Sequence, residues 1–445
     1  MKILLINTPR SPYNGILQFA PEEAKYFIHK KLIGPPLGLL TLAAALKDHE
    51  VVVFDTKGEY DLNPDVPPLS ELVTNIVNDF KPDIVGTTVI TSELYYGIEI
   101  LQTVKKINPD ITTVIGGQYV NTRLQDCYDS SIDIAIQGHA GDKLRSIVIA
   151  KEKGEELSRV SGIYINNGIE FKKTAAAEKP WNAAGENFLM PDRKLIERWR
   201  QTYRVKNAPG PTTYLFTSLG CPYKCTFCSI WIENCGFYYK RDIESIINEL
   251  KLIDYDIVRF ADANTIVDVD FIDNLFTRIE QENIKKEYIM DIRADVAVKN
   301  PKLIEKLARN GLKVVICGFE SYKEAELNKY NKDSSAAYIE KAINLFHDNG
   351  IMLRGNYVIP TDYTPADFKA MADYAAAHKV AYAGYTILTP MPGTVYYKEV
   401  ENKIVDHDLR KYNFFNAVLP TFLPIEDFYK QVGSLWLIKK GIDVI

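Results

Sequence analysis

The sequence is poor in cysteine, lacks long apolar runs and carries almost no net charge, and each shortage removes a class of protein. Six cysteines in 445 residues cannot staple a chain of this size, which excludes a disulfide scaffold. The most apolar window, Ile33 to Leu46, is broken by Gly34, Pro35, Pro36 and Gly38. It falls short of the roughly 20 residues that a membrane helix requires, so no transmembrane segment is expected. The opening MKILLIN turns polar at Asn7 and reads as a first strand rather than an export signal, which predicts a cytoplasmic location. A net charge of −5 supplies no basic field for a polyanion, so no nucleic-acid partner is expected. The phosphate-binding pattern G-x-G-x-x-G is also missing, and with it support for a dinucleotide.

What is present is an ordinary globular composition, 46% hydrophobic and 25% charged, long enough for two or three domains. Over residues 1–150, short β-branched runs (Lys2 to Asn7, Glu50 to Phe54, Ile84 to Thr88, Thr112 to Ile115, Ile132 to Ile136) alternate with helical spacing. Continuous apolar strands joined by helices predict an α/β, doubly wound, Rossmann-like parallel sheet with ligand loops at the carboxyl ends of its strands. Residues 151–210 break that rhythm and read as a hairpin around Asn166-Asn167-Gly168 followed by a linker. Residues 211–399 start a second alternation of six strands with intervening helices, which predicts a partial (β/α)6 barrel. Residues 400–445 form a small, aromatic-rich helical extension.

Cys221-Pro222-Tyr223-Lys224-Cys225-Thr226-Phe227-Cys228 follows the first strand of the second series, where barrel enzymes place their active sites. Three thiolates on one short loop suit one face of an iron–sulfur cube. Because a fully ligated cube takes four cysteines, three leave one iron open to a small molecule. The alternative is a structural zinc site with Cys235 as fourth ligand, although zinc favours two short pairs separated by a longer loop. Cys127 and Cys317 lie in apolar stretches and read as core, while Cys235 stays unassigned between these readings.

With an aromatic at Phe227, this C-x3-C-x2-C motif on a six-stranded partial barrel resembles the radical S-adenosylmethionine enzymes. The resemblance implies a [4Fe–4S] cluster on Cys221, Cys225 and Cys228, and S-adenosyl-L-methionine bound to its open iron. Phe227 and the polar residues at later strand ends, Asp262, Asn264, Arg293 and Glu320, are implied S-adenosylmethionine contacts. Capping of the following helices is the alternative for those strand-end residues. Pro390-Met391-Pro392-Gly393-Thr394 also resembles a turn of such enzymes, whereas Ile359-Pro360-Thr361-Asp362 departs from the Gly-x-Pro-Gly-like turn expected there.

Taken with the first half, the order from Met1 to about Thr394 resembles the cobalamin (B12)-binding members of the family, of the class B methylase type. Gly34-Pro35-Pro36-Leu37-Gly38-Leu39, Pro82 to Gly86, Ile115-Gly116-Gly117 and Pro191-Asp192 carry that likeness. It implies that the loop with Thr87, Thr88, Thr91 and Ser92 lies along the lower face of the corrin. The loops with Gly116, Gly117, Gln118 and Tyr119, and with Gly138 and His139, would then line the cleft for the nucleotide tail. No histidine stands in an Asp-x-His-x-x-Gly context, so cobalt is expected to lack a histidine lower ligand.

The function implied is a cobalamin-dependent C-methyltransferase that acts at an unactivated carbon of a small-molecule, natural-product or lipid substrate. It would use a 5′-deoxyadenosyl radical and methylcobalamin, with electrons from a flavodoxin or ferredoxin. The alternatives are a non-methylating rearrangement, cyclisation or carbon–carbon coupling with the same cofactors, and a non-catalytic cobalamin or metal sensor. Phe237, Tyr238, Tyr239, Tyr382, Tyr385, Tyr412, Phe414, Phe415 and Phe422 are candidates for an apolar substrate pocket, with core packing as the alternative.

Overall fold

The computed structural model of the chain describes residues 1–28, 34–63, 65–175, 188–205, 209–234, 236–378, 380 and 383–438. The chain divides into two compact units, 1–12 with 33–204 and 13–32 with 205–445. Among the described residues, no helix is long and apolar enough to cross a membrane.

The first unit is built on seven strands: β1 (Lys2–Asn7), β2 (Glu50–Asp55), β3 (Ile84–Thr88), β4 (Thr112–Gly116), β5 (Ile134–Ala135), β6 (Tyr164–Asn166) and β7 (Phe171–Lys173). They lie in the order β2-β1-β3-β4-β5-β6-β7. The first five pair in parallel and the last two antiparallel. The parallel strands are apolar throughout because helices cover both faces: Ile3, Leu4, Leu5, Ile6, Ile84 and Val85 are all 2% exposed or less. Helix Leu69–Phe80 shows the complementary pattern, burying Leu69, Leu72, Val73 and Val77 along one stripe. Each such side chain taken from water contributes about 1.5–3 kcal/mol.

The second unit has six parallel strands: β8 (Thr212–Leu215), β11 (Ile257–Phe260), β12 (Glu287–Asp291), β13 (Leu312–Glu320), β14 (Met352–Ile359) and β15 (Gly384–Ile387). Their order, β15-β14-β13-β12-β11-β8, follows the sequence, as in a partial barrel. A separate antiparallel pair, β9 (Ser218–Gly220) with β10 (Tyr238–Lys240), brackets the cysteine motif.

Two expected boundaries shift. The hairpin β6/β7, expected in a linker, extends the first sheet by two strands. Residues 13–32, expected within a first domain of 1–150, pack in the second unit. There Gly15 N donates to Asn416 Oδ1 (2.8 Å) and Ile16 N to the Phe415 carbonyl (3.2 Å). Helix Ile425–Leu435, the main element of the C-terminal extension, packs on this segment: Gly433 lies directly against Ala20, and Gly15 against the Tyr429 ring.

Candidate active site

The three motif cysteines occupy one loop whose base is clamped from three sides. Asp262, just past β11, accepts from Thr217 N (2.8 Å), Thr217 Oγ1 (2.7 Å) and Ser218 N (2.9 Å). Burial lifts this carboxyl to about 6, against the hydrogen bonds from Thr217 and Ser218 that lower it. Arg241 closes the other side: its Nη1 donates to the Phe216 carbonyl (2.8 Å) and to Glu249 Oε2 (2.7 Å) in an ion pair only 2% exposed on each side. Gly220, immediately before Cys221, completes the clamp with a φ of +84°, and a Cβ there would collide with the Phe237 carbonyl oxygen. Asp262, expected to touch S-adenosylmethionine, thus has both carboxylate oxygens engaged in fixing the backbone ahead of Cys221.

Further along the loop, hydrogen bonds to its backbone fasten it to its surroundings. Thr226 N donates to the Tyr330 carbonyl (3.0 Å), Tyr396 N to the Thr226 carbonyl (2.9 Å) and Asn331 Nδ2 to the Lys224 carbonyl (2.9 Å). Phe227 meets Tyr330 edge-on, at 5.5 Å between ring centroids. The thiols are unbridged, Cys225 buried and Cys221 and Cys228 partly so. Among the described residues, no three His, Cys, Asp or Glu side chains stand where they could hold a single metal ion. Cys235, the alternative zinc ligand, lies outside the described residues.

Two of the expected strand-end residues gather beside the cysteines. Glu320, at the end of β13 with a φ of +63°, accepts from Lys332 Nζ at 2.6 Å, and both side chains are about a tenth exposed. Gly318 leaves the room this pair occupies, because a Cβ there would run into Glu320 Oε1 and meet Lys332 Nζ at 3.1 Å. Arg293 donates to Asp295 (2.9 Å) and to the Lys332 and Asp333 carbonyls (2.6 and 2.8 Å), and stacks 3.8 Å over the Tyr223 ring. Burial raises the pKa of all three thiols, Cys228 to about 12. Arg293 and Lys332 pull Cys221 and Cys225 back down. Asn264 is buried and its Oδ1 has no partner. Lys332 and Tyr223 were not singled out from the sequence; only Tyr223's place inside the motif offered a signal.

This donor set fits an anionic iron–sulfur cluster: three unbridged thiols, one loop and two adjacent cations. The buried, unpartnered amide oxygen of Asn264 fits a hydrogen-bond donor of a ligand.

In the first unit the expected ligand loops do lie at the carboxyl ends of β3, β4 and β5. Gly117 has a φ of +110°, and a Cβ there would come within 2.6 Å of Val89 N, Val89 O and Thr88 Oγ1. Gly116 is partly buried, whereas Gln118 and Gly138 are exposed. Gly138 N donates to Asn121 Oδ1 (2.8 Å). His139 is held neutral, its pKa lowered to about 4 by burial and by Lys143. Thr88 is partly buried; Thr91 and Ser92 are buried. Two residues have other work. Thr87 Oγ1 donates to the Ile6 carbonyl (3.0 Å), tying β3 to β1. Tyr119 is 2% exposed with its hydroxyl on Asp126 (3.1 Å), so it anchors its helix instead of lining a cleft. The room beside Gly117 is taken by Val89 and Thr88, while the open rim at Gln118 and Gly138, at the carboxyl ends of parallel strands, fits a ligand site.

Of the remaining candidates, Cys127 and Cys317 are fully buried, with thiols pushed up to about 12. Tyr385 and Tyr412 are core, whereas Phe237, Phe414 and Phe422 are exposed. Tyr238, Tyr239 and Phe415 are partly buried, and Tyr382 lies outside the described residues.

Comparison with known proteins places both units. The Radical SAM superfamily model matches residues 215–375 and the B12 binding domain model matches residues 26–148. An uncharacterized methyltransferase of Pyrococcus horikoshii is 27% identical over 406 residues, covering 87% of this chain and 83% of the relative. An anaerobic magnesium-protoporphyrin IX monomethyl ester cyclase of Rubrivivax gelatinosus is 25% identical over 406 residues, covering 86% and 70%. The fold is shared with the radical S-adenosylmethionine methyltransferase TsrM of Kitasatospora setae, solved with cobalamin and a [4Fe-4S] cluster bound. That match has a TM-score of 0.66 and 16% identity over 90% of this chain and 74% of TsrM. The chain therefore belongs to the radical S-adenosylmethionine enzymes that carry a B12 binding domain.

Proposed function

We propose that the protein is a cobalamin-dependent radical S-adenosylmethionine methyltransferase acting on an unactivated carbon of a small molecule. The observation that carries this reading is the clamped loop of three unbridged thiols at the mouth of a six-stranded parallel sheet, in a chain that also holds a doubly wound unit. The methyltransferase name of the Pyrococcus relative and the methyltransferase fold partner support it.

When bound, the cluster with S-adenosylmethionine supplies a 5′-deoxyadenosyl radical, and cobalamin supplies a methyl group. Cys221, Cys225 and Cys228 would hold the cluster, and Asp262, Arg241 and Gly220 keep their loop in register with the strand ends. Arg293 and Lys332 offset the negative charge that accumulates on the thiolates. Glu320 and Asn264 would receive the S-adenosylmethionine ammonium. Gly116 and the exposed Gln118 and Gly138 would border the corrin's tail, with Gly117 shaping that loop against Val89, and Thr88, Thr91 and Ser92 would meet the ring. His139 stands outside the Asp-x-His-x-x-Gly context and is assigned no bond to cobalt.

The cyclase of Rubrivivax gelatinosus supports a second reading, cyclisation without methyl transfer. Reconstituted holoenzyme under low-potential reductant, given S-adenosylmethionine labelled in its methyl group and no substrate, separates the two. The methyltransferase reading expects labelled methyl on the protein-bound corrin together with 5′-deoxyadenosine. Formation of 5′-deoxyadenosine with an unlabelled corrin favours the cyclase, and absence of both products overturns the radical reading.

A further inference from the structure

The inner face of the second sheet carries a second group of charges, at the carboxyl ends of β11 and β12 and below Glu320 on β13. Strand alternation sends Val258, Phe260, Tyr288, Met290, Val315 and Leu353 into the core against the helices. The intervening residues Tyr214, Arg259, Asp291 and Arg354 therefore turn to the barrel axis. The register sets Asp291 opposite Ile316 and Ile316 opposite Arg354, so the carboxylate and the second guanidinium flank one isoleucine at one level. Arg259 Nη2 reaches Asp291 Oδ2 at 2.8 Å and its Nη1 reaches the Tyr214 hydroxyl at 3.4 Å. Ile257, Ile289 and Ile316, with Val205 and Val314, form an apolar cluster at the same depth. Glu320 stands four residues beyond Ile316 on β13, roughly 13 Å farther up the strand.

The charges at this level do not balance, for two guanidinium groups face one carboxylate. Asp291 is bonded to Arg259. Arg354 has no side-chain hydrogen bond or ion pair among the described residues, and its Nε is buried without a partner, as is that of Arg259. Burial and Arg259 both press the Arg354 pKa down, opposed by Asp291 and Tyr214. Yet Arg259 and Asp291 keep 19% and 23% of their side chains accessible, so they border a space that admits water. Arg354 is itself only partly buried, so its unpaired guanidinium borders the same space, and its planar fork matches a carboxylate or phosphate.

We propose that Arg354, assisted by Arg259 and the Tyr214 hydroxyl, forms a subsite inside the barrel for an anionic group of the substrate, a carboxylate or a phosphate. The assignment rests on reading the barrel as the substrate-bearing unit. It narrows the substrate class to molecules that carry a carboxylate or phosphate, with Asp291 limiting the site to one such group.

The test is calorimetric titration of the reconstituted, S-adenosylmethionine-bound full chain with inorganic phosphate in one arm and propionate in the other. Saturable binding of at least one anion is expected, weakened tenfold or more in Arg354→Met and less in Arg354→Lys, while S-adenosylmethionine affinity and substrate-free 5′-deoxyadenosine formation stay unchanged. Which arm saturates identifies the group. Arg354→Met should melt close to the wild type, because it breaks no side-chain bond or ion pair, whereas Arg259→Met, which breaks the pair with Asp291, should melt lower. Absence of saturable binding, wild-type binding by Arg354→Met, or destabilisation of Arg354→Met to the level of Arg259→Met would each overturn the subsite. So would a loss of S-adenosylmethionine affinity in Arg354→Met, which would assign the guanidinium to that ligand. Failure of the radical reading shows separately, as absence of 5′-deoxyadenosine from the wild type.

Discussion

A thiol proposed as a metal ligand sits, in this protein, where burial holds on to its proton. Cys228 is pushed up to about 12 and Cys221 and Cys225 are raised less, with Arg293 and Lys332 working against burial at the latter two. Since the ligand is the thiolate, cluster assembly must expel these protons, and higher pH favours it. Iron incorporation at fixed iron and sulfide is therefore expected to rise from pH 7 to pH 9; a flat profile would contradict thiol ligation. Lys332 carries a second expectation. Its partner Glu320 is about a tenth exposed, so Lys332→Met strands a buried carboxylate, at about 3–5 kcal/mol. Adding Glu320→Gln should recover part of that loss in urea denaturation, whereas equal stabilities for the single and double variants would mean that the pair is not coupled.

At the scale of elements, backbone shape matters more than side-chain chemistry. Gly220 and Gly117 both have positive φ, and both are overlaid by backbone atoms that cannot move aside cheaply. Gly138 also has positive φ, but its nearest neighbour is the Lys143 amine at 3.9 Å. Gly138→Ala should cost only the left-handed penalty of about 1–2 kcal/mol. Gly117→Ala and Gly220→Ala should lose more, about 3 kcal/mol or above, since a displaced strand end adds to that penalty. Thermal melts of the three variants give the order, and a Gly220→Ala as stable as Gly138→Ala would rule out a tight clamp. The strands and the cysteine loop were legible in the sequence because apolar runs and a short motif are local signals. The clamp was not, since Asp262 reaches Thr217 and Ser218 from 45 and 44 residues away. Nor was Lys332, which meets Glu320 only once the intervening helix Glu324–Lys329 folds back.

For the whole molecule, the chain's division into two units is the feature with thermodynamic consequences. Their boundaries were only partly legible, because residues 13–32 join the second unit through partners about 400 positions away, such as Asn416. Each unit has its own sheet and buried core, so two melting transitions are expected. A ligand stabilises the unit that holds its site by RT ln(1 + [L]/Kd), about 2.7 kcal/mol at a hundredfold excess over Kd. Gly117→Ala should lower one transition and Gly220→Ala the other, which assigns them. Hydroxocobalamin should then raise the transition sensitive to Gly117→Ala, and cluster reconstitution the one sensitive to Gly220→Ala. Calorimetry in which cobalamin raises only the transition sensitive to Gly220→Ala would remove the first unit's loops from the cobalamin site, whatever the chemistry of the barrel.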